Sequence, residues 1–255
     1  MNNKVYYYKS FSDDVVTNSG QDYKLPDDYV WVRKGFFSRL ASGLLYLVAA
    51  VVGFIGCYGV LHMKLRNRHV LKECGKSGCY VYGNHTQPVA DVAIPGFLCR
   101  FKRVYTVVSP SNLGLPVLGK VLPTLGALPI PQHLNQMKEF YNAMETRIEE
   151  GGCVVIYPEA HVWPYYTKIR PYPATSFRYP AKDGAPVFAM TTTYQKRQLG
   201  KKPNMVVYLD GPFYPDMKLS LKERQKKLQE QVSASMEKFS QNSNCEYIHY
   251  EKVAD

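Results

Sequence analysis

The chain has 255 residues, a formal net charge of +11 and a pI of about 9.2. That length supports one substantial core with a small appendage, and the charge favours an anionic partner such as an anionic membrane surface or a phosphate-bearing substrate. Lys and Arg form no compact run, which argues against nucleic acid, and the six Cys are dispersed without a C-x-x-C pair, as in a cytosol-facing protein with reduced structural thiols.

The first residues are polar and rich in Tyr and Asp, do not read as a signal peptide, and predict a partly ordered arm over 1–39. A membrane-embedding helical segment is expected over 40–63. From Leu40 to Leu61 no charged side chain occurs, and about 20 residues suffice to cross the hydrocarbon core. Basic residues flank this run on both sides: Arg33, Lys34 and Arg39 before it, Lys64, Arg66 and Arg68 after it. Equal flanks give no orientation by the positive-inside rule. They also fit helical structure lying in one leaflet with both ends at one anionic surface.

From 64 to 255 the pattern becomes alternating β and α. Cys79–Tyr82 and Arg103–Val108 read as strands. Leu134, Met137, Tyr141, Met144 and Ile148 recur at helical spacing, and Gly151 and Gly152 close that helix. Cys153–Tyr157, Val187–Tyr194 and Met205–Leu209 are the next strands. Ser220 and Glu223 make a capping-box pattern ahead of a helix with Leu221, Leu228, Val232, Met236 and Phe239 on one face. This order predicts one α/β domain, a central mixed sheet flanked by helices.

Two strand ends carry polar groups able to move protons. Tyr80-Val81-Tyr82-Gly83 runs into Asn84-His85, with Asp91 downstream; Val154-Val155-Ile156 runs into Tyr157-Pro158-Glu159-Ala160-His161. Strand ends followed by loops are where α/β folds place their chemistry. Histidine titrates near neutral pH without a large shift, so His85 is the candidate general base and Asp91 the carboxylate that orients it. Rings at Tyr157, Trp163, Tyr165 and Tyr166 make the second loop strongly aromatic, as at a membrane interface or in a rigid packed loop.

Taken in order, Asn84-His85 with Asp91, Leu115-Pro116-Val117-Leu118-Gly119, Gly126-Ala127-Leu128-Pro129-Ile130-Pro131, Tyr157-Pro158-Glu159 and Ala185-Pro186-Val187 resemble the motifs of the bacterial 1-acyl-glycerol-3-phosphate acyltransferases and the wider lysophospholipid acyltransferase family. The resemblance spans residues 78–215. It implies transfer of an acyl group from a thioester of coenzyme A or acyl carrier protein to a lipid hydroxyl in phospholipid synthesis, with no other cofactor, at a cell membrane with the catalytic domain facing the cytoplasm. It also implies that Glu159 holds the acceptor or its loop.

The chain departs from that pattern in three places. Five residues, not four, separate His85 from Asp91, and on a helix one added residue rotates Asp91 by about 100°; Pro88 disfavours helix just before it and allows a loop to restore the contact. Gln132 and Val162 stand where the family carries arginines associated with the acceptor's phosphate, and neither supplies a positive charge. Lys168 and Arg170, with Arg178 and Lys182, are the replacement candidates, and His161 is a second proton-handling or acceptor-contacting group. Two other classes stay open: a metal-dependent hydrolase using His85, Asp91, Glu159 and His161, although these have no recognised metal-ligand spacing, and a non-catalytic basic membrane-binding protein.

Overall fold

A computed structural model describes residues 4–16, 22–32, 36–99, 102–200 and 202–253. Arg33 and Lys34 of the basic flank lie outside them. In chain order the elements are β1 (Val5–Tyr8), α1 (Phe36–Phe54), β2 (Lys64–Arg66), β3 (Cys79–Gly83), α2 (Ile94–Leu98), β4 (Val104–Val108), α3 (Leu118–Leu125), β5 (Ala127–Pro129), α4 (Met137–Glu149), β6 (Cys153–Ile156), α5 (Arg178–Asp183), β7 (Val187–Gln195), β8 (Asn204–Phe213), α6 (Leu221–Ser240) and β9 (His249–Lys252). A π-helical run, Ile55–Val60, continues α1.

One seven-stranded sheet has the order β2-β8-β7-β3-β6-β4-β5. Every neighbouring pair is parallel except β7 with β8, so β8 and β2 run against the other five. The fold is therefore α/β with a mixed central sheet, as the sequence pattern predicts. Burial on both faces explains why β3 and β6 read as unbroken apolar runs. Tyr80, Tyr82, Val154 and Ile156 join Phe140 of α4 and Leu228, Val232 and Met236 of α6 in one core. Cys79, Val81, Cys153 and Val155 join Ile94 and Leu98 of α2 and Cys57 in the other. The helix α6 opens on the expected capping box: Ser220 Oγ accepts from Glu223 N, and Glu223 Oε2 accepts from Ser220 N at 2.9 Å. At Gly119 a Cβ would lie 2.0 Å from the Leu113 carbonyl oxygen, so only glycine lets α3 start so close to the preceding turn.

The N-terminal segment, expected as a partly ordered arm, makes contacts with the α/β unit. Strand β1 pairs with β9 in a separate two-stranded parallel sheet, Val5 opposite His249. Leu25 and Trp31 are buried in the main core, and Trp31 Nε1 donates to the Pro129 carbonyl at 2.9 Å. The physical reason is apolar area: these side chains have nowhere to be buried except against the α/β unit.

The apolar segment lies along the domain surface. Near its start, Ser42 Oγ donates to the Thr124 carbonyl at 2.6 Å, and the Arg103 guanidinium sits 4.3 Å from the Tyr46 ring centroid. Gly53 passes so close to α2 that a Cβ would meet Ala93 Cβ at 3.1 Å. Beyond its end, the Leu61 carbonyl accepts from Met205 N of β8. One face packs on the domain; Leu44, Leu47, Val48, Val51, Val52 and Ile55 on the other are exposed.

Candidate active site

His85 and Glu159 follow the C-terminal ends of β3 and β6, which are hydrogen-bonded neighbours in parallel register. Parallel pairing brings the two loops to one edge of the sheet. There His85 Nδ1 lies 2.7 Å from Asp91 Oδ2. An ionised carboxylate only accepts, so Nδ1–H is the donor and Nε2 keeps its lone pair. Asp91 Oδ2 also accepts from Thr86 N at 3.0 Å and Gln87 N at 2.9 Å. The residue added between His85 and Asp91 is absorbed without a helix: Asp91 N donates to the Gln87 carbonyl, and a short 3-10 turn covers Ala90–Val92. Asp91 is buried, whereas the His85 side chain keeps 23% of its surface exposed, so an imidazole edge remains reachable.

Neighbouring groups hold this loop from three sides. The Tyr157 ring stacks on the His85 ring with centroids 4.6 Å apart, and its hydroxyl donates to the Asp91 carbonyl at 2.6 Å. Burial pushes the Tyr157 phenol well above its ordinary pKa, so it remains a neutral donor. The buried Tyr194 hydroxyl accepts from Gln87 Nε2 at 2.9 Å and lies 2.8 Å from Thr86 Oγ1. The carbonyls of His85 and Thr86 accept from Trp163 N and Tyr165 N of the second loop. Neither Tyr194 nor the tyrosine hydroxyl contact to Asp91 was legible beforehand, because both depend on residues 66 or more positions apart meeting in space.

Glu159 and Arg170 form a buried pair. Glu159 Oε2 accepts from His85 N at 3.1 Å and from Arg170 Nη2 at 2.8 Å, and Oε1 accepts from Arg170 N at 3.0 Å. Arg170 also donates to the His161 and Phe11 carbonyls and stacks over Trp163, 4.8 Å from its ring centroid. It is 1% exposed. The expectation that Arg170 reaches an acceptor phosphate therefore does not fit: its guanidinium neutralises Glu159 and ties the loop to the N-terminal segment. Glu159 is likewise spent on its loop. Gln132 is engaged elsewhere, accepting from Leu25 N at 2.7 Å and donating to the Tyr23 carbonyl. His161 Nδ1 is 3.8 Å from Asp14 in a half-exposed pair. Lys168 is exposed with no partner among the described residues, and Arg178 and Lys182 are exposed on α5.

The aromatic loop is packed. Trp163 is fully buried, stacked on Tyr250 of β9 at 5.0 Å and 3°, with Tyr8 and Phe11 against it and its Nε1 donating to the Asp13 carbonyl. Among the described residues no three His, Cys, Asp or Glu side chains converge as metal ligands.

No protein-family model matches the chain, and no curated protein does. The fold is similar to the crystal structure of the 1-acyl-sn-glycerophosphate (LPA) acyltransferase PlsC from Thermotoga maritima, with a TM-score of 0.57 and 14% identity over 82% of this chain and 89% of that one. At that identity the likeness carries the fold, an α/β architecture shared with a glycerolipid acyltransferase.

Proposed function

We propose that the protein is a membrane-associated acyltransferase that moves a fatty acyl group from a thioester, of coenzyme A or acyl carrier protein, to a hydroxyl of a lyso-lipid acceptor. The observation that carries this reading is the 2.7 Å contact between His85 Nδ1 and the buried Asp91 carboxylate, with the other ring nitrogen left to take a proton. Nε2 accepts the proton of the acceptor hydroxyl as its oxygen attacks the thioester carbonyl. Asp91 balances the imidazolium so formed. The tetrahedral oxyanion collapses, the carbon–sulfur bond breaks, and the departing thiolate takes the proton back. A thioester brings a good leaving group, so the chemistry needs no covalent acyl-enzyme.

Attachment to the cytoplasmic side of a cell membrane is part of the same reading. The packing of the apolar segment on the domain from Ser42 to Leu61 supports an element lying in one leaflet, its exposed Leu and Val face in lipid. Lysophosphatidate is the proposed acceptor, with Lys168 rather than Arg170 free to meet a phosphate.

The test is incubation of membranes containing the protein with a labelled acyl thioester and a panel of lyso-lipids, read by lipid mass spectrometry. One acceptor should gain the label, and His85→Ala should lower its rate by about 10²–10⁴-fold with the fold retained. Near-normal turnover in folded His85→Ala would reject the mechanism.

A further inference from the structure

Strands β3 and β7 are parallel neighbours, with Gly83 opposite Met190. Strand β7 continues five residues beyond that point, to Gln195, and so rises past the His85 loop at the catalytic end of the sheet. The turn from β7 to β8 is therefore at that end. So is the start of β2, because Lys64 is in register with Val206 near the start of β8. Lys64, Lys196, Arg197, Gln198, Leu199 and Asn204 line an open cleft there. Three of the six are cations and none is a carboxylate. None of the three has an ion-pair partner among the described residues. The Arg197 guanidinium instead donates to His62 Nδ1 at 3.2 Å, a contact that leaves its charge uncompensated.

An uncompensated group of like charges raises the local anion concentration. The surroundings identify the anion's carrier. Leu199, at the tip of the turn, is 80% exposed. The cleft adjoins the end of the apolar segment, where Val60 is exposed and the Leu61 carbonyl binds Met205 N. An exposed apolar helix face thus leads directly into a basic cleft with one protruding leucine. That order, apolar then cationic, matches the boundary between acyl chains and anionic head groups. A soluble phosphate would not account for Leu199 or Val60.

We infer that the Lys64–Lys196–Arg197 cleft binds the phosphate groups of anionic phospholipids and sets the catalytic end of the sheet against the bilayer surface. This rests on the reading of α1 as a membrane element, and the experiment separates the two. The full-length protein is sedimented with phosphatidylcholine vesicles and with vesicles that also contain phosphatidylglycerol. The triple variant Lys64→Gln, Lys196→Gln, Arg197→Gln is compared, its melting temperature being measured alongside.

The wild type should prefer the anionic vesicles, and the preference should weaken with salt. The triple variant should lose about a hundredfold in partitioning to them, since each basic residue near such a surface contributes roughly fivefold. Its binding to neutral vesicles and its turnover in detergent should be unchanged. Equal binding of wild type to both vesicle types would overturn the cleft while leaving α1 in the membrane. Undiminished anionic binding by a folded variant would do the same. If only coenzyme A or inorganic phosphate binding were lost, the cleft would be a soluble-anion site and the inference would fall. Failure of wild type to bind either vesicle would reject the membrane reading itself.

Discussion

Replacing Asp91 by Asn removes one charge and almost no volume. Asp91 Oδ2 takes three hydrogen bonds, from His85 Nδ1, Thr86 N and Gln87 N. Presented with the Asn oxygen, each donor keeps a partner but loses a charge-assisted bond, a change of about 1 kcal/mol apiece. Three such changes total about 3 kcal/mol, and no longer burying a charge offsets part of that, leaving a net loss of about 2 kcal/mol. The Asn Nδ2 would then occupy the place of Oδ1, which has no hydrogen-bond partner among the described residues, so the amide gains nothing there. For a chain of this size the loss corresponds to a fall in Tm of about 4–8 °C. The effect on rate should be far larger. The imidazolium loses its counter-charge, and kcat should drop by about 10²–10⁴-fold with little change in KM. The assay is thiol release from an acyl thioester in the presence of the accepted lyso-lipid, at a temperature where melts show the variant folded. Wild-type kcat in Asp91→Asn, or a rate loss that only tracks the unfolded fraction, would refute the reasoning.

Two further substitutions probe the groups around that pair. Tyr157→Phe keeps the ring over His85 but strips the donor from the Asp91 carbonyl; kcat should fall by about tenfold with KM held, and steady-state kinetics giving the reverse pattern would deny it a positioning role. Arg170→Met leaves Glu159 buried without its cation, which should cost about 3–5 kcal/mol in denaturant unfolding. Adding Glu159→Gln should recover part of that loss; no recovery would mean the pair is not the source of the effect.

The strands that carry the site were readable because both faces of the sheet are covered, and a doubly buried strand leaves an unbroken apolar run such as Tyr80–Tyr82 or Val154–Ile156. The short strands were not. β1, β2, β5 and β9 have three or four residues each, too few to show an alternation. His85 and Asp91 were legible as a pair of chemical types, and Pro88 signalled that helical spacing did not govern them. The fate of Arg170 was not. Only burial shows that its charge is consumed by Glu159 rather than offered to a ligand. Ala160 is a similar case: it adopts φ +64°, a region that favours glycine, and its side chain gives no hint that the turn between Glu159 and His161 requires it.

The pairing of Val5 with His249 has a consequence for biosynthesis. Strand β1 is synthesised well before β9 and can close onto it only once His249–Lys252 has been made. Trp163 and the loop that carries Glu159 are clasped by both strands, through Tyr8 on one side and Tyr250 on the other. Completion of this clasp therefore waits until translation has passed β9. Until then the loop that carries Glu159 lacks one side of its clasp, so the candidate site can reach its final packing only after His249–Lys252 has been made.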